Sequence, residues 1–210
     1  MIYSKEIQAY LSSHSSAIHP ILDELERETH LKYLMPNMLS GREQGMFLNM
    51  LVSISQAKHI VEIGTYTGYA ALCMACALPE DGMIQAFELN PELEEIILRY
   101  FKKAGLENKL KLHIGDAKKE ILKIDAPIDL VFIDADKQGY SAYYDIIFDR
   151  VKSGGLIIAD NVLWNGKVVE SNPNTDTQAL IAFNQKVQSD ERVENMILPL
   201  RDGLLMIRKK

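Results

Sequence analysis

The chain has 210 residues and a formal net charge of −6, with 47% hydrophobic and 25% charged residues. This size and composition suit one globular domain with a sizeable core. The acidic balance disfavours non-specific binding to nucleic acid or to an anionic membrane. The first residues lack the basic start and long apolar run of a secretory signal, and no apolar run approaches the roughly 18–20 residues of a membrane span.

The two cysteines, Cys73 and Cys76, lie in the apolar sequence ALCMACAL. One Cys-x-x-Cys pair cannot complete a tetrahedral zinc site by itself, and a redox role is the other alternative. In a helix of Ala, Leu and Met, cysteine acts as a small hydrophobic residue, which is the interpretation we favour. Such cysteines are typical of a reducing compartment, so we expect a cytoplasmic protein with no membrane partner.

From residue 58 onward, short β-rich apolar runs alternate with longer stretches of helical periodicity. Five strands are predicted at His59–Ile63, Met83–Phe87, Leu110–Ile114, Ile128–Ile133 and Leu156–Ala159. Four helices are predicted at Tyr69–Leu78, Pro91–Ala104, Ala117–Leu122 and Tyr140–Val151. Turn residues separate these elements, including Lys152–Gly155 before the fifth strand. The alternation predicts a parallel sheet that is covered by helices on both faces.

The end of the chain departs from this alternation. A helix predicted at Thr177–Val187 is followed by two strands, Val193–Leu198 and Leu204–Ile207, whose connection contains a Pro and a Gly. Such a connection is typical of a hairpin, so the last strand should run antiparallel. Residues 1–57 are predicted to form a cap of two or three helices, interrupted at Pro36-Asn37 and Ser40-Gly41. The expected fold is one α/β domain: this cap and a Rossmann-like, doubly wound, mostly parallel seven-stranded sheet over residues 58–210.

A turn with two glycines follows the first strand, in the sequence HIVEIGTYTGYAAL. Gly64 and Gly68 permit a tight turn that brings the backbone close to a ligand. Their spacing differs from G-x-G-x-x-G, which weakens the case for a bound pyrophosphate. Glu88, at the end of the second strand, is placed to accept hydrogen bonds from two ribose hydroxyls. A nucleoside without pyrophosphate fits this combination best, and we predict S-adenosylmethionine.

These residues have simpler explanations as well. Gly64 and Gly68 could serve the turn alone, and Glu88 could be a solvated strand end. Asp116 and Ala117, after the third strand, form a natural wall for an adenine ring, but Asp116 could equally cap the next helix. Because open α/β sheets bind ligands at the carboxyl ends of their strands, we favour the ligand interpretation.

Two buried strands end in oxygen-bearing side chains. DLVFIDADK contains Asp134, Asp136 and Lys137, and IIADN ends in Asp160 and Asn161. In a doubly wound sheet, both ends open onto the crevice beside the glycine turn. Asp134, Asp160 and Asn161 offer three hard oxygen donors with no His or Cys nearby in sequence. They predict a Mg²⁺ site, with Ca²⁺ or Mn²⁺ as alternatives, and they disfavour zinc.

Lys137 is the candidate general base, because a dication beside it would disfavour its ammonium form. The alternative is an ordinary solvated lysine. Asp136 could likewise be only a helix cap. Two acidic strand ends in one crevice still favour a cation, since buried like charges repel each other.

Several motifs in this chain resemble the cation-dependent class I O-methyltransferases, the group that contains the caffeoyl-CoA and catechol O-methyltransferases. The motifs are VEIGTYTGYA, FELN, LVFIDADKQGY and IIADNVLWNGKVV, with further support from MLSGREQGMFLNML and LPLRDGLLMIRKK. The resemblance runs from about Met38 to the C-terminus, and its overall character is that of the small bacterial members. It implies a homodimer, for which the Met-rich stretch Met35–Leu51 offers apolar surface, although the cap could instead pack on its own domain.

The resemblance also implies a role for each matching residue. It assigns the metal to Asp134, Asp160 and Asn161, and catalysis to Lys137 together with Asp134. The implied substrate contacts are Lys137, Asn161 and Trp164. The implied cofactor-binding residues are Met38, Glu62, Gly64, Tyr66, Thr67, Gly68, Glu88, Leu89, Asp116, Ala117, Asp134, Asp136 and Tyr143.

One position departs from the family pattern. A serine that often hydrogen-bonds the methionine carboxylate of the cofactor is replaced here by Ala70, so backbone amides or Thr67 would have to compensate. Trp164 matches a tryptophan that lines the substrate pocket of the plant enzymes. The alternative for Trp164 is an ordinary core aromatic residue, although it lies in a polar loop.

The function we expect is methyl transfer from S-adenosylmethionine to a small catechol-like phenol. The metal would stabilise the phenolate, Lys137 would take its proton, and the cleft would supply the alignment. An alternative on the same scaffold is O-methylation of the wobble 5-hydroxyuridine of tRNA, which the acidic charge disfavours without excluding it. A binding module without catalysis would have no need of Lys137.

Overall fold

In a computed structural model of the chain, residues 4–124 and 127–210 are described. Within these residues, seven strands form one sheet: β1 (His59–Ile63), β2 (Met83–Glu88), β3 (Leu110–Ile114), β4 (Ile128–Ile133), β5 (Val151–Ala159), β6 (Val193–Leu198) and β7 (Leu204–Lys209). Their order is β3-β2-β1-β4-β5-β7-β6. Strand β7 is antiparallel to both of its neighbours, and the other pairings are parallel. The predicted Rossmann-like sheet with an antiparallel last strand is confirmed.

Eight α-helices accompany the sheet in the described part of the chain. They are α1 (Lys5–Ser13), α2 (Ile21–Lys32), α3 (Gly41–Ser55), α4 (Tyr69–Ala75), α5 (Glu94–Lys103), α6 (Ala117–Glu120), α7 (Tyr140–Phe148) and α8 (Thr175–Gln188). Short 3-10 helices add Pro36–Met38, Pro91–Leu93, Glu107–Lys109, Ile121–Lys123, Lys137–Gly139 and Trp164–Val169. None of the helices in residues 4–124 and 127–210 combines the length and apolar character that a membrane crossing needs.

The core consists of two apolar clusters, one on each face of the sheet. Strand β4 contributes to both, because successive side chains of a strand point to opposite faces. Leu130 and Phe132 pack with α2, α3, α4 and α5, whereas Val131 and Ile133 pack with α6, α7 and α8. Burial on both faces explains why the central strands are almost continuously apolar.

Strand β5 begins earlier than the sequence predicts. Lys152–Gly155 is predicted as a turn before a strand at Leu156, but β5 already starts at Val151. Val151 pairs with Ile128 and Leu156 pairs with Leu130, so the register shifts and the predicted turn becomes an irregular part of the strand. Helix α7 correspondingly ends at Phe148 and not at Val151.

Helices α3 and α4 approach each other closely at Gly45. A Cβ atom at this position would lie 2.7 Å from Sγ of Cys73 and 3.1 Å from Cε1 of Tyr69. Cys73 is fully buried in the core cluster, and burial raises the pKa of its thiol well above the ordinary value. Helix α4 ends at Ala75 and not at the predicted Leu78, so Cys76 is its C-terminal cap, where it is free and half-buried.

Candidate active site

The glycine turn joins β1 to α4 and lies against the end of β4. Gly64 has φ = 89°, and a Cβ atom there would overlap the carbonyl group of Asp134. Gly68 has φ = 90° and precedes α4, where a Cβ would make only ordinary contact with Ile97. Gly64 is therefore needed for the close approach of two strand ends, in addition to any contact with a ligand.

Glu88 is a buried strand end that fixes the glycine turn. Its Oε2 accepts hydrogen bonds from the backbone N–H groups of Thr65 (3.2 Å) and Tyr66 (2.7 Å), and its Oε1 accepts one from Asn90 (2.8 Å). Only 8% of Glu88 is exposed, so the alternative of a solvated strand end is wrong. Oε1 keeps a free lone pair, and the predicted contact with a ribose stays a prediction.

Thr67 faces helix α2. Its hydroxyl forms a 3.1 Å hydrogen bond with the hydroxyl of Thr29, and both residues are fully buried. This bond anchors the glycine turn to α2. Compensation for Ala70, by Thr67 or by backbone amides, stays a prediction.

A narrow cleft separates the glycine turn from the segment before α3. Met38 and Leu89, two predicted cofactor contacts, are 51% and 73% exposed, and Met38 lies at the edge of this cleft. The hydroxyl of Tyr66 is buried without a hydrogen-bond partner among the described residues. The cleft is lined by Met38, Leu39, Ser40, Gly64, Thr65, Tyr66, Tyr69, Ala70, Phe132 and Asp134.

Glu62 lies fully buried in β1, just before the glycine turn. In the described part of the chain, neither of its carboxylate oxygens has a hydrogen-bond partner. Burial raises the pKa of Glu62 well above the ordinary value; the nearby Thr65 side chain opposes this rise, and the carboxylates of Asp134 and Glu88 add to it. The environment therefore favours a neutral carboxyl group beneath the turn.

Lys137 brings the two charged strand ends together. Its Nζ lies 2.9 Å from Oδ1 of Asp134, 2.9 Å from Oδ1 of Asn161 and 2.6 Å from the hydroxyl of Tyr140. The side chain is only 10% exposed, so Lys137 is not an ordinary solvated lysine. Three of the predicted site residues thus meet at one point, next to the cleft that Asp134 lines.

Asp160 is held by two donors at the end of β5. Its Oδ2 accepts a 2.6 Å hydrogen bond from Nε2 of Gln44, and its Oδ1 accepts one of 2.7 Å from the backbone of Asn161. Burial, followed by the nearby charge of Asp134, raises the pKa of Asp160 to about 7. Sequence reasoning missed Gln44, a fully buried residue of α3 that is 116 positions away.

The donor set at this point fits a hard divalent cation. Asp134, Asp160 and Asn161 supply oxygen atoms only, and two carboxylates that repel each other are stabilised by a cation between them. No group of three His, Cys, Asp or Glu side chains in residues 4–124 and 127–210 is placed to hold a metal. A metal centre here therefore depends on the amide of Asn161 as the third ligand.

Three other predicted cofactor residues form hydrogen bonds close to one another. The hydroxyl of Tyr143 donates a 2.5 Å hydrogen bond to Oδ1 of Asp136. Asp116 caps α6 by accepting a 3.0 Å bond from the backbone of Lys118, whose Nζ lies 5.1 Å from the centre of the Tyr143 ring. The capping role of Asp116 is thus present, and Ala117 beside it is buried. The adenine wall stays a prediction.

Trp164 belongs to a loop of unusual backbone conformation after β5. Asn161, Trp164 and Asn165 all have positive φ angles, of 58°, 48° and 53°. The Trp164 ring packs against the core cluster, and its centre lies 5.7 Å from Nζ of Lys137. Its indole N–H is buried without a partner among the described residues. Trp164 is therefore partly a core residue, but it also faces the candidate base.

Comparison with known proteins identifies the family. The family model described as O-methyltransferase matches residues 12–210. Probable caffeoyl-CoA O-methyltransferase 2 of Dictyostelium discoideum is 34% identical over 99% of this chain and 93% of its own length. The caffeoyl-CoA O-methyltransferase of Medicago sativa is 37% identical over 91% of this chain and 82% of its own.

A solved structure agrees with these relatives. The methyltransferase of Podospora anserina, crystallised with S-adenosylhomocysteine (SAH) bound, superimposes with a TM-score of 0.91 at 28% identity. The match covers 100% of this chain and 98% of that one. On the strength of its sequence and its fold, the chain belongs to the O-methyltransferase family.

Proposed function

We propose that this S-adenosylmethionine-dependent O-methyltransferase methylates small catechol-like phenols with the help of a divalent cation, Mg²⁺ in the first place. Asp134, Asp160 and Asn161 would hold the cation. The observation that carries the proposal is that Nζ of Lys137 lies 2.9 Å from oxygens of both Asp134 and Asn161. Asp134 also lines the cleft beside Gly64, so the candidate base and the candidate cofactor site share a residue.

The relatives support the same substrate class. Two of them are named as caffeoyl-CoA O-methyltransferases, and caffeoyl groups carry two adjacent phenolic hydroxyls. The Podospora structure holds SAH, the product that S-adenosylmethionine leaves after methyl transfer. The tRNA alternative finds no support among these relatives, and the net charge of −6 disfavours it.

Lys137 would act as the general base. It would take the phenolic proton on Nζ, and the ammonium group so formed would be stabilised by the oxygens of Asp134, Asn161 and Tyr140 that already surround it. The rings of Tyr140 and Trp164, 4.8 and 5.7 Å from Nζ, favour the ammonium form before the reaction as well, so Lys137 would start as the neutral amine only with a divalent cation nearby to disfavour that charge. When bound, a divalent cation supplies charge stabilisation for a phenolate.

The cofactor would lie in the cleft between the glycine turn and the segment before α3. Glu88 would accept the ribose hydroxyls, and the backbone at Gly64 would form the wall beside the strand ends. Asp116 and Ala117 would border the adenine ring, with Asp136 and Tyr143 beside them. Such a placement aligns the sulfonium methyl group with the acceptor oxygen, which is the main requirement of this reaction.

A homodimer is the assembly we propose, on the strength of the family resemblance. The segment before α3 and the outer face of α3 expose apolar side chains that a second copy could cover. The exposed fractions are 98% for Leu34, 60% for Met35, 53% for Met50 and 74% for Ile54. Sedimentation at micromolar concentration should show a dimer, and a single species of 23.8 kDa would contradict it.

The deciding experiment offers radiolabelled S-adenosylmethionine with catechol, a caffeoyl thioester or bulk tRNA in parallel. We expect label in the phenols, loss of transfer in excess EDTA, and recovery on adding Mg²⁺. Calorimetric binding of S-adenosylmethionine should survive EDTA, because Gly64 and Glu88 are not metal ligands in this proposal. Transfer that persists in EDTA would contradict the metal site, and label in tRNA alone would contradict the substrate class.

A further inference from the structure

The turn between β6 and β7 lies directly against the loop that carries Trp164. The carbonyl oxygen of Gly203 accepts a 3.1 Å hydrogen bond from the backbone of Val162, and that of Asp202 accepts one of 3.0 Å from Leu163. The side chain of Asp202 adds a third bond, because its Oδ1 accepts a 2.6 Å hydrogen bond from the backbone N–H of Asn165. Three successive contacts therefore hold the loop along the turn.

The packing between the two segments is equally close. Gly203 has φ = 86°, and a Cβ atom there would lie 2.5 Å from Cγ and 2.9 Å from Cδ1 of Leu163. No side chain fits at this position without displacing the side chain of Leu163. The shape of the turn and the path of the loop are thus adapted to each other.

The loop needs such external support because of its backbone. Trp164 and Asn165 are consecutive residues whose backbone lies in the left-handed region. Residues other than glycine rarely adopt this conformation. Asp202 bonds to the N–H of the second of these residues. A charged acceptor makes a shorter and stronger hydrogen bond than a neutral one, so this contact favours the conformation that places the indole opposite Lys137.

We propose that Asp202 is a positioning residue of the acceptor site, and that it acts by holding Trp164 in front of Lys137. This inference rests on the proposed function and on the acceptor contacts that the family resemblance implies for Lys137 and Trp164. Asp202 touches neither the acceptor nor the cofactor in this arrangement. Its loss should weaken acceptor binding while leaving S-adenosylmethionine binding intact, because the cofactor cleft is formed by the glycine turn and the segment before α3.

The chain offers a direct spectroscopic test, because Trp164 is its single tryptophan. In Asp202→Ala, we expect the tryptophan emission to shift to longer wavelength and acrylamide quenching to increase, in the absence of any substrate. The KM for catechol should rise about tenfold, which is the worth of one hydrogen bond to a charged group. The KM for S-adenosylmethionine should stay unchanged. Asp202→Asn keeps the Oδ1 acceptor without its charge, and it should bring both the emission and the KM for catechol most of the way back to the parent values.

Arg201→Ala is the matched control in the same turn. The Arg201 side chain points the other way, towards the carbonyl of Ser40 before α3, so its removal should leave the Trp164 emission unchanged. If Asp202→Ala is too unstable to assay, Asp202→Glu keeps the charge but moves the acceptor by one methylene group, and it should shift the emission in the same direction.

The inference and the proposed function can fail separately. Unchanged emission and unchanged KM for catechol in Asp202→Ala would overturn the inference, whatever EDTA does to the parent enzyme. An emission shift without any rise in the KM for catechol would overturn it as well, since Asp202 would then support only the loop. A parent protein that methylates no phenol would overturn both the proposed function and the acceptor role of Asp202.

Discussion

Gln44 of helix α3 donates a 2.6 Å hydrogen bond to Oδ2 of Asp160 at the end of β5, and both side chains are buried. The bond connects a helix that precedes the sheet to one of the candidate metal ligands. It leaves Asp160 with a fixed orientation, because Asn161 holds the other carboxylate oxygen.

Replacing Gln44 by leucine should therefore destabilise the protein. The buried Oδ2 of Asp160 loses its donor, which costs about 1–3 kcal/mol in the free energy of unfolding. Because the pKa of Asp160 is raised to about 7, its carboxyl is protonated at pH 5 and charged at pH 8, so the loss should be larger at pH 8. Urea unfolding at both pH values measures it. Gln178→Leu, on the exposed side of α8, is the control, and an equal loss in both variants would contradict this account.

Substituting Glu88 by alanine should weaken S-adenosylmethionine binding by roughly 1.5–3 kcal/mol, the worth of hydrogen bonds to a charged acceptor. Part of this effect should come through the glycine turn, since Glu88 also accepts the backbone N–H groups of Thr65 and Tyr66. Glu88→Gln, which keeps one acceptor oxygen, should give a smaller loss. Calorimetric titration decides the matter, and the ribose assignment fails if Kd is the same in all three proteins.

Gly64 and Gly105 form a matched pair of glycines for testing the close approach of β1 and β4. Both have positive φ angles, 89° and 68°, but a Cβ at Gly105 meets no atom within 4 Å. Gly105→Ala should lower the free energy of unfolding by only about 1–2 kcal/mol, which is the cost of placing a side chain on this backbone conformation. Gly64→Ala should lose more because of its overlap with Asp134, and Gly64→Val more still. Similar unfolding free energies for the two alanine variants would show that the overlap is relieved at little cost.

Lys137→Ala should lower kcat by about 10²–10⁴, the usual worth of a positioned general base. Binding of metal and of S-adenosylmethionine should remain nearly intact. The defect should shrink as the pH rises, because hydroxide can then remove the phenolic proton. Steady-state kinetics from pH 7 to 10 provide the test, with Lys186→Ala, a surface lysine paired with Asp145, as the control. A kcat equal to that of the parent would remove Lys137 from the mechanism.

Local sequence patterns were sufficient for most of the fold. The bounds of β1, β3, β4 and β6 coincide with the predicted strands, because each is a short run of strand-forming residues between turn or loop residues. The start of β5 could not be predicted in this way. Gly154 and Gly155 indicate a turn locally, but the pairing of Val151 with Ile128 extends the strand through them.

The residues of the candidate site also fall into two groups, those that the sequence predicts and those that it does not. Asp134, Lys137, Asp160 and Asn161 could be identified because charged or polar side chains at buried strand ends are unusual, and the parallel topology brings such ends together. The residues that hold this site in place could not be identified from the sequence. Gln44, Thr29 and Asp202 carry no distinctive chemistry in sequence, and each meets its partner only through the packing of distant segments.

The contact between Gly45 and Cys73 has a consequence for how the first helices stay attached to the sheet. Where α3 crosses α4, the backbone of Gly45 packs directly against the side chains of Cys73 and Tyr69, and this contact forms the seam between the two helices. The Cys73 thiol lies under this seam with no exposed surface. A reagent can reach the sulfur of Cys73 only when α3 and α4 separate. The rate at which Cys73 is alkylated therefore measures how often the contact between the two helices opens. The half-buried Cys76, at the C-terminal cap of α4, is the internal reference for this comparison, because its alkylation does not require the two helices to separate.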